Sequence, residues 1–521
     1  MTAQPASPVD PDPEPQAPAS GGTPPRPASG EAPPRRSRLG DPPRATLLIG
    51  VAASVLMLVG GFGAGGVLVR DPLLTNSPLG FWRYGHGHEM ATAMVYLGVL
   101  LLIWAWIRLG RDVVARRAGG RAVLTCAAAW IVPMLFTPPL FTRDVFSYLA
   151  QGALPLAGLD PYAVGPEALP GTVTDNVHPL WLDTPAPYGP LFILLAKAVA
   201  AVAGDNVILG VVLMRVALLP GLAMFVWALP ELTRRLGGRI PVALWIAVAN
   251  PVVVVHLVGG IHNELLLMGL LATGAVLVLR GRHAGGIAVA TAAVAVKASA
   301  GLALPFLVLV WAGRLSGPWL SRVARATGGG LVVFVAVFGV ITLVAGVGLG
   351  WVSSVGAAGA IVHWYSASTA LGLLGHAVVG LLVTDLALEP FLVVTRALGM
   401  LALLVVAVHQ WWQARHGGPD AVRRAGIVLL AGAVLGPTLL SWYPSWGFAL
   451  LAAAAWTTSR LGAVAFGSVL LMFLSYPDGD TAHRDLVLLG LAAVVALFAA
   501  RALCRAPRNP PARSAAASVA R

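Results

Sequence analysis

The chain of 521 residues is 57% hydrophobic and only 11% charged, where soluble domains carry about 25% charged residues. Charged groups are costly in hydrocarbon and runs of roughly 20 apolar residues can span it, so segments such as 45–69 and 328–350 imply a chain solvated mainly by lipid. The net charge of +13 does not point to nucleic acid, because the arginines stand in short segments between apolar runs and form no basic groove. Nearly all of the 35 basic residues are arginines, the lysines being Lys197 and Lys297. Cys126 and Cys504 offer neither a disulfide framework nor zinc-ligand spacing.

Residues 1–44 are rich in Pro, Ala, Gly and Ser and read as a disordered cytoplasmic tail, as do residues 504–521. The apolar run after the first tail starts too late and is too long for a secretory signal. Residues 45–503 read as one transmembrane domain of about 14 spans, oriented by keeping arginine-rich loops inside. Span 1 (46–69) leads out, span 2 (90–109) returns, and the loop with Arg111, Arg116, Arg117 and Arg121 is cytoplasmic. Span 3 (121–140) ends outside at Pro138-Pro139. The hydrophilic segment 141–187 follows on the outer face, with Asp144, Asp160, Glu167, Asp175 and Asp183. The apolar stretch 188–203 is short and carries Lys197. It reads as a helix at the outer interface, because a crossing would put Arg234, Arg235 and Arg239 outside. Parity splits 285–313 into two short spans meeting at Lys297, and makes 369–385 re-entrant or interfacial.

This topology gathers the distinctive polar residues on the outer side. Asp144 lies just beyond span 3, at headgroup depth, where a carboxylate could act as general base beside a lipid-borne phosphate or could simply N-cap the helix beginning at Val145. The stretch Thr184-Pro185-Ala186-Pro187-Tyr188-Gly189-Pro190-Leu191 is stiffened by three prolines. Tyr162, Trp181 and Tyr188 could pack on a sugar or anchor the loop at the interface. Glu264, in His262-Asn263-Glu264, is a second acid near substrate or the favourable anion at a helix N-terminus. Lys297 and Arg215 could hold a phosphate or snorkel at span ends. Asp478-Gly479-Asp480 reads as a turn sooner than as a metal motif. His86-Gly87-His88-Glu89 lacks partner spacing, so no metal or other cofactor is expected.

Four segments in order, 143–152, 158–162, 184–191 and Gly260-Ile261-His262-Asn263-Glu264, resemble the actinobacterial polyprenol-phosphomannose-dependent α-(1→6)-mannosyltransferases. The resemblance covers residues 45–503 and is closer to the enzyme of proximal mannan synthesis than to its distal-chain relative. It implies a GT-C glycosyltransferase fold in the plasma membrane, with the active site on the outer face. The implied donor is polyprenyl-phosphate-mannose and the acceptor a lipid-anchored mannan of lipomannan and lipoarabinomannan. One inverting displacement would convert the β-linked donor, with Asp144 as base and Arg143, Lys297 or Arg215 on the phosphate. Tyr148, Asp160, Tyr162, Tyr188, His262, Asn263, Glu264, Trp442 and Tyr443 would line the substrate site. The pattern departs at Phe146, where a Tyr is usual, and in the imperfect Ser441-Trp442-Tyr443-Pro444-Ser445-Trp446. Other polyprenyl-phosphate-sugar transferases (arabinofuranosyl or protein mannosyl) and a lipid-linked-sugar flippase remain as alternatives.

Overall fold

The computed structural model describes residues 41–505 apart from Leu73 and Thr75. The two expected tails fall almost wholly outside the described residues, between which helix runs from Arg44 to Cys504. In chain order the helices are α1 Arg44–Ala64, α2 Gly85–Val114, α3 Gly120–Met134, α4 Asp144–Ala153, α5 Pro190–Ala203 and α6 Val207–Leu236. Then come α7 Ile240–Ala247, a π-helical segment Val252–Gly259, α8 Glu264–Leu279, α9 His283–Val296, α10 Leu304–Ala312 and α11 Trp319–Ala345. The remainder are the single turn α12 Trp351–Ser354, α13 Ala367–Val379, α14 Glu389–Gln413, α15 Gly418–Leu435, α16 Ser445–Leu451, α17 Thr458–Leu471 and α18 Leu486–Cys504. Among the described residues there is no strand, only two isolated bridges.

Six of these helices (α1, α2, α6, α11, α14 and α18) are long and apolar enough to cross a membrane, and a bent pair makes seven. That pair is α7 and the π-helical segment, which meet at 49°. The bend has a local cause: Pro251 supplies no amide, and the Asn250 side chain accepts from Val252 N while donating to Ile246 O and Ser468 Oγ. Only 17% of the apolar windows of α11 and α14 is buried. Apolar side chains so exposed on self-satisfied backbone suit contact with hydrocarbon.

The backbones of α6 and α8 touch. A Cβ on Gly269 would lie 2.1 Å from Gly221 O, and one on Gly221 would lie 2.4 Å from Leu265 O. Such an approach needs glycine on both helices.

Two sequence expectations shift in detail. The third span ends at Met134 rather than near residue 140, and residues 135–143 run on as non-helical chain to α4. The 285–313 stretch is indeed broken at Lys297, which is extended (φ −151°, ψ 128°) between α9 and a 3-10 turn, Ala298–Ala303. The break, the start of α4, the start of α8 and the segment before α16 meet in one place.

Candidate active site

The helix α4 begins on Asp144, whose backbone amide donates to Thr142 Oγ1 at 3.1 Å. Thr142 therefore serves the helix start, and among the described residues no backbone amide donates to the Asp144 carboxylate. The N-cap role considered for Asp144 is not the one it has. Its Oδ2 points instead at His262 Nδ1, 3.7 Å away, with 18% of the side chain exposed. One helical turn on, on the same face, the Tyr148 hydroxyl lies 3.4 Å from the same His262 nitrogen.

His262 is reached through Ile261, which takes a left-handed φ of +62°. The imidazole stacks on Trp442, with ring centres 3.6 Å apart. Burial holds its pKa well below the ordinary imidazole range, with His256 and Lys297 adding to the effect. It is thus neutral, and its contact with Asp144 is a polar contact rather than an ion pair. A proton on Nδ1 faces both the carboxylate and the tyrosine oxygen, which is the tautomer this geometry favours.

A second pair lies alongside. Glu264, at the first position of α8, is fully buried, and its Oε1 meets Lys297 Nζ at 2.5 Å. Trp446 Nε1 donates to the same oxygen at 3.3 Å. The ammonium sits 4.9 Å from the Tyr443 ring centre, 5.4 Å from Trp446 and 5.9 Å from Tyr188. A cation among aromatic faces with one carboxylate is held without being neutralised by a second. The stiff 184–191 segment sets Tyr188 there: Gly189 N donates to Val296 O at 3.1 Å, next to Lys297. Tyr188 meets Tyr148 edge-on at 5.2 Å, and Phe192 closes the triangle.

Asp144 feels both pairs. Burial pushes its carboxyl up to about 6, Lys297 opposes the rise, Glu264 adds to it, and a hydrogen bond from Thr142 opposes it. A carboxylate near that value suits general-base work close to neutrality. Around it, His262 Nε2, both amide atoms of Asn263 and Glu264 Oε2 are buried without a hydrogen-bond partner among the described residues. Such groups are rare in folded proteins and mark places where a ligand can supply the partner.

Not every expected residue joins this cluster. Arg215 is buried on α6, and its guanidinium donates to the carbonyls of Leu135, Thr137, Val258 and Gly259. Four of its five N–H donors go to the ends of α3 and of the π-helical segment. Arg143 turns away from Asp144, donating to Asn176 O at 3.2 Å and lying 6.0 Å from the Phe146 ring. Asp160 is an exposed turn residue that accepts from Tyr162 N. Tyr162 acts beneath the site, donating its hydroxyl to Tyr188 O at 3.0 Å. Two contributors escaped the sequence reading. Thr142 carried no motif signal, whereas Trp446 stood in the late Trp-Tyr motif, one helical turn beyond Tyr443, where it stacks at 4.3 Å. His86 and His88 engage separate partners, Glu89 and Gly63 O.

Residues 47–313 match the family model "Alpha-(1->6)-mannopyranosyltransferase, N-terminal domain", and residues 368–505 match "MptB C-terminal domain". A protein of Mycobacterium tuberculosis named alpha-(1->6)-mannopyranosyltransferase A is 40% identical over 88% of this chain and 90% of its own. The chain belongs to the alpha-(1->6)-mannopyranosyltransferase family. The A protein of Corynebacterium glutamicum is 31% identical over 85% of this chain and 95% of its own. A probable alpha-(1->6)-mannopyranosyltransferase of Mycolicibacterium smegmatis is 32% identical over 90% of each. Within this family assignment the cluster is shared between the two matched regions. Asp144, Tyr148, Tyr188, His262, Glu264 and Lys297 lie in the first, and Trp442, Tyr443 and Trp446 in the second.

Proposed function

We propose that this chain is an inverting mannosyltransferase of GT-C type that moves mannose from polyprenyl-phosphate-mannose to an α-(1→6)-mannan acceptor. The acceptor is lipid-anchored, the product is lipomannan or lipoarabinomannan backbone, and the reaction takes place at the outer face of the plasma membrane, in a domain of about 14 spans. The observation that carries this reading is the pairing of a perturbed carboxylate, Asp144, with an aromatic-caged cation, Lys297, in one side-chain cluster. An inverting displacement needs a base on one side of the anomeric carbon and charge stabilisation for the departing phosphate on the other. Asp144 takes the proton of the acceptor 6-hydroxyl as the new bond forms, with neutral His262 and Tyr148 fixing its orientation. Lys297 meets the phosphate oxygens as the glycosidic bond breaks, leaving polyprenyl phosphate. Of the three cations considered for that role, Arg215 is engaged by four carbonyls and Arg143 faces the other way. Tyr188, Trp442, Tyr443 and Trp446 offer ring faces to the sugar. The leaving group is already a phosphate and needs no nucleotide fold, and Lys297 meets its charge without a metal.

The test is transfer of labelled mannose in membranes holding the full chain. Asp144→Asn keeps the size and lowers turnover by at least about 10²-fold with normal protein levels, while Asp160→Asn costs little. Transfer persists in excess EDTA. Near-normal turnover of Asp144→Asn removes the base from the mechanism. Preference for a labelled arabinofuranosyl donor, or passage of intact donor across the bilayer without transfer, removes the substrate assignment.

A further inference from the structure

Thr142, which accepts the Asp144 amide proton, is held between two glycines far apart in sequence. On one side is Gly260, where a Cβ would stand 2.8 Å from Thr142 Cγ2 and 3.0 Å from Leu140 O. On the other is Gly479, where a Cβ would stand 2.9 Å from Thr142 C and Cα and 3.1 Å from Arg143 N. The Gly479 contacts and that of Gly260 with Leu140 O are with backbone, which cannot swing aside as a flexible side chain can, whereas Gly260 meets Thr142 through its side-chain methyl. Gly479 also has φ +103°, a conformation open mainly to glycine.

The segment bearing Gly479 is a tight turn fastened at several points. Tyr476 N donates to Asp480 O at 2.8 Å, Gly479 N to Tyr476 O at 3.0 Å, and Asp480 N to Asp478 Oδ1 at 3.1 Å. Phe141 N donates to Pro477 O at 2.8 Å, joining the turn to the chain just before α4. Asp480 Oδ1 lies 3.2 Å from His178 Nε2 in the outer loop. The carboxylates of Asp478 and Asp480 act on Arg143, not on Asp144. The Asp478-Gly479-Asp480 motif is therefore a strap across residues 141–143, and its carboxylates do not converge on the reaction site.

We infer that the 476–480 turn and Gly260 grip Thr142 and thereby hold the Asp144 carboxylate against His262, which makes Gly479 a positioning residue for the transfer reaction. This rests on Asp144 being the base. The grip acts two residues before that base, and a displacement of about 1 Å at a reacting group can cost about 10²-fold in rate.

The experiment compares turnover, donor KM and the pH–rate profile of Gly479→Ala, Asp480→Ala and Asp144→Asn, all in full-length protein in membranes. Gly479→Ala is expected to lower kcat by about 10- to 100-fold while donor KM stays within about twofold. Its acid limb moves down from about 6 toward the ordinary carboxylate range, because Asp144 gains solvent. The other groups facing Asp144 (His262, Tyr148, Tyr188, Glu264 and Lys297) are untouched in this variant, so the limb reports the carboxylate's own surroundings. Asp480→Ala releases the strap only at its exposed His178 tie and gives the same pattern at about threefold. It decides the matter if Gly479→Ala fails to reach the membrane. Unchanged kcat in these variants overturns the inference, as does a fall that merely tracks protein abundance with the acid limb fixed. Full turnover in Asp144→Asn is a separate outcome, since it defeats the base assignment itself.

Discussion

Asp144 was legible as a base only through the family resemblance, because its sequence context alone favours a helix cap. The structure separates the two: among the described residues no backbone amide donates to the carboxylate, whose Oδ2 faces His262, while the hydroxyl of Thr142, two residues earlier, takes the Asp144 amide. Burial raises the carboxyl to about 6, and Lys297 opposes that rise. A base works when unprotonated, so transfer should fall away as pH drops through about 6, well above the value for a solvent-exposed carboxylate. Lys297→Gln removes the opposing positive charge and should move the surviving activity's acid limb upward. His262, Tyr148, Tyr188 and Glu264 also face Asp144, and burial keeps His262 neutral across this range. The limb therefore follows the carboxylate. Asp160→Asn, at the exposed turn, should leave it in place. A limb that stays put in Lys297→Gln would detach the two groups from one another.

At the scale of elements, α4 divides two environments. Asp144 and Tyr148 face His262, and Phe146, on the opposite face, lines an apolar cavity of about 440 Å³ together with Phe136, Val212 and Val216. The interruption at Lys297 was readable from sequence, because span parity splits 285–313 there. Arg215 was not readable. A lone arginine in an apolar helix has the same sequence signature whether it meets a phosphate or, as here, four carbonyls. The early end of α3 follows from the same contacts, since two of those carbonyls belong to the chain between Met134 and Pro138. Arg215→Ala should lower stability on the order of 3 kcal/mol, because buried carbonyls lose charge-assisted partners. Arg215→Lys should recover part of it, with fewer donors in a less suitable arrangement. Thermal unfolding in detergent checks this: a variant as stable as the parent but defective in donor binding would return Arg215 to the phosphate.

For the whole molecule, the orientation proposed above has the site outside and Cys504 inside. Cys504 is exposed and Cys126 is buried, so the native chain carries one accessible thiol among the described residues. In intact cells a membrane-impermeant thiol reagent should leave Cys504 unmodified and should label Gly171→Cys in the outer loop. Permeabilisation should expose Cys504. The reverse pattern would turn the protein over in the membrane and end the outer-face assignment. What the sequence could not convey at this scale is convergence, since the residues around Asp144 come from segments as distant as Thr142 and Trp446. Their meeting also bears on motion. Arg215 fastens the end of α3 and the end of the π-helical segment to α6, and Gly221 and Gly269 lock α6 to α8. Those contacts tie the chain just before His262 and the helix that begins at Glu264 to α6. A hinge for closure around a bound sugar is therefore expected outside those contacts, and the extended backbone at Lys297, whose ammonium meets Glu264, is one break in the helical scaffold beside the site.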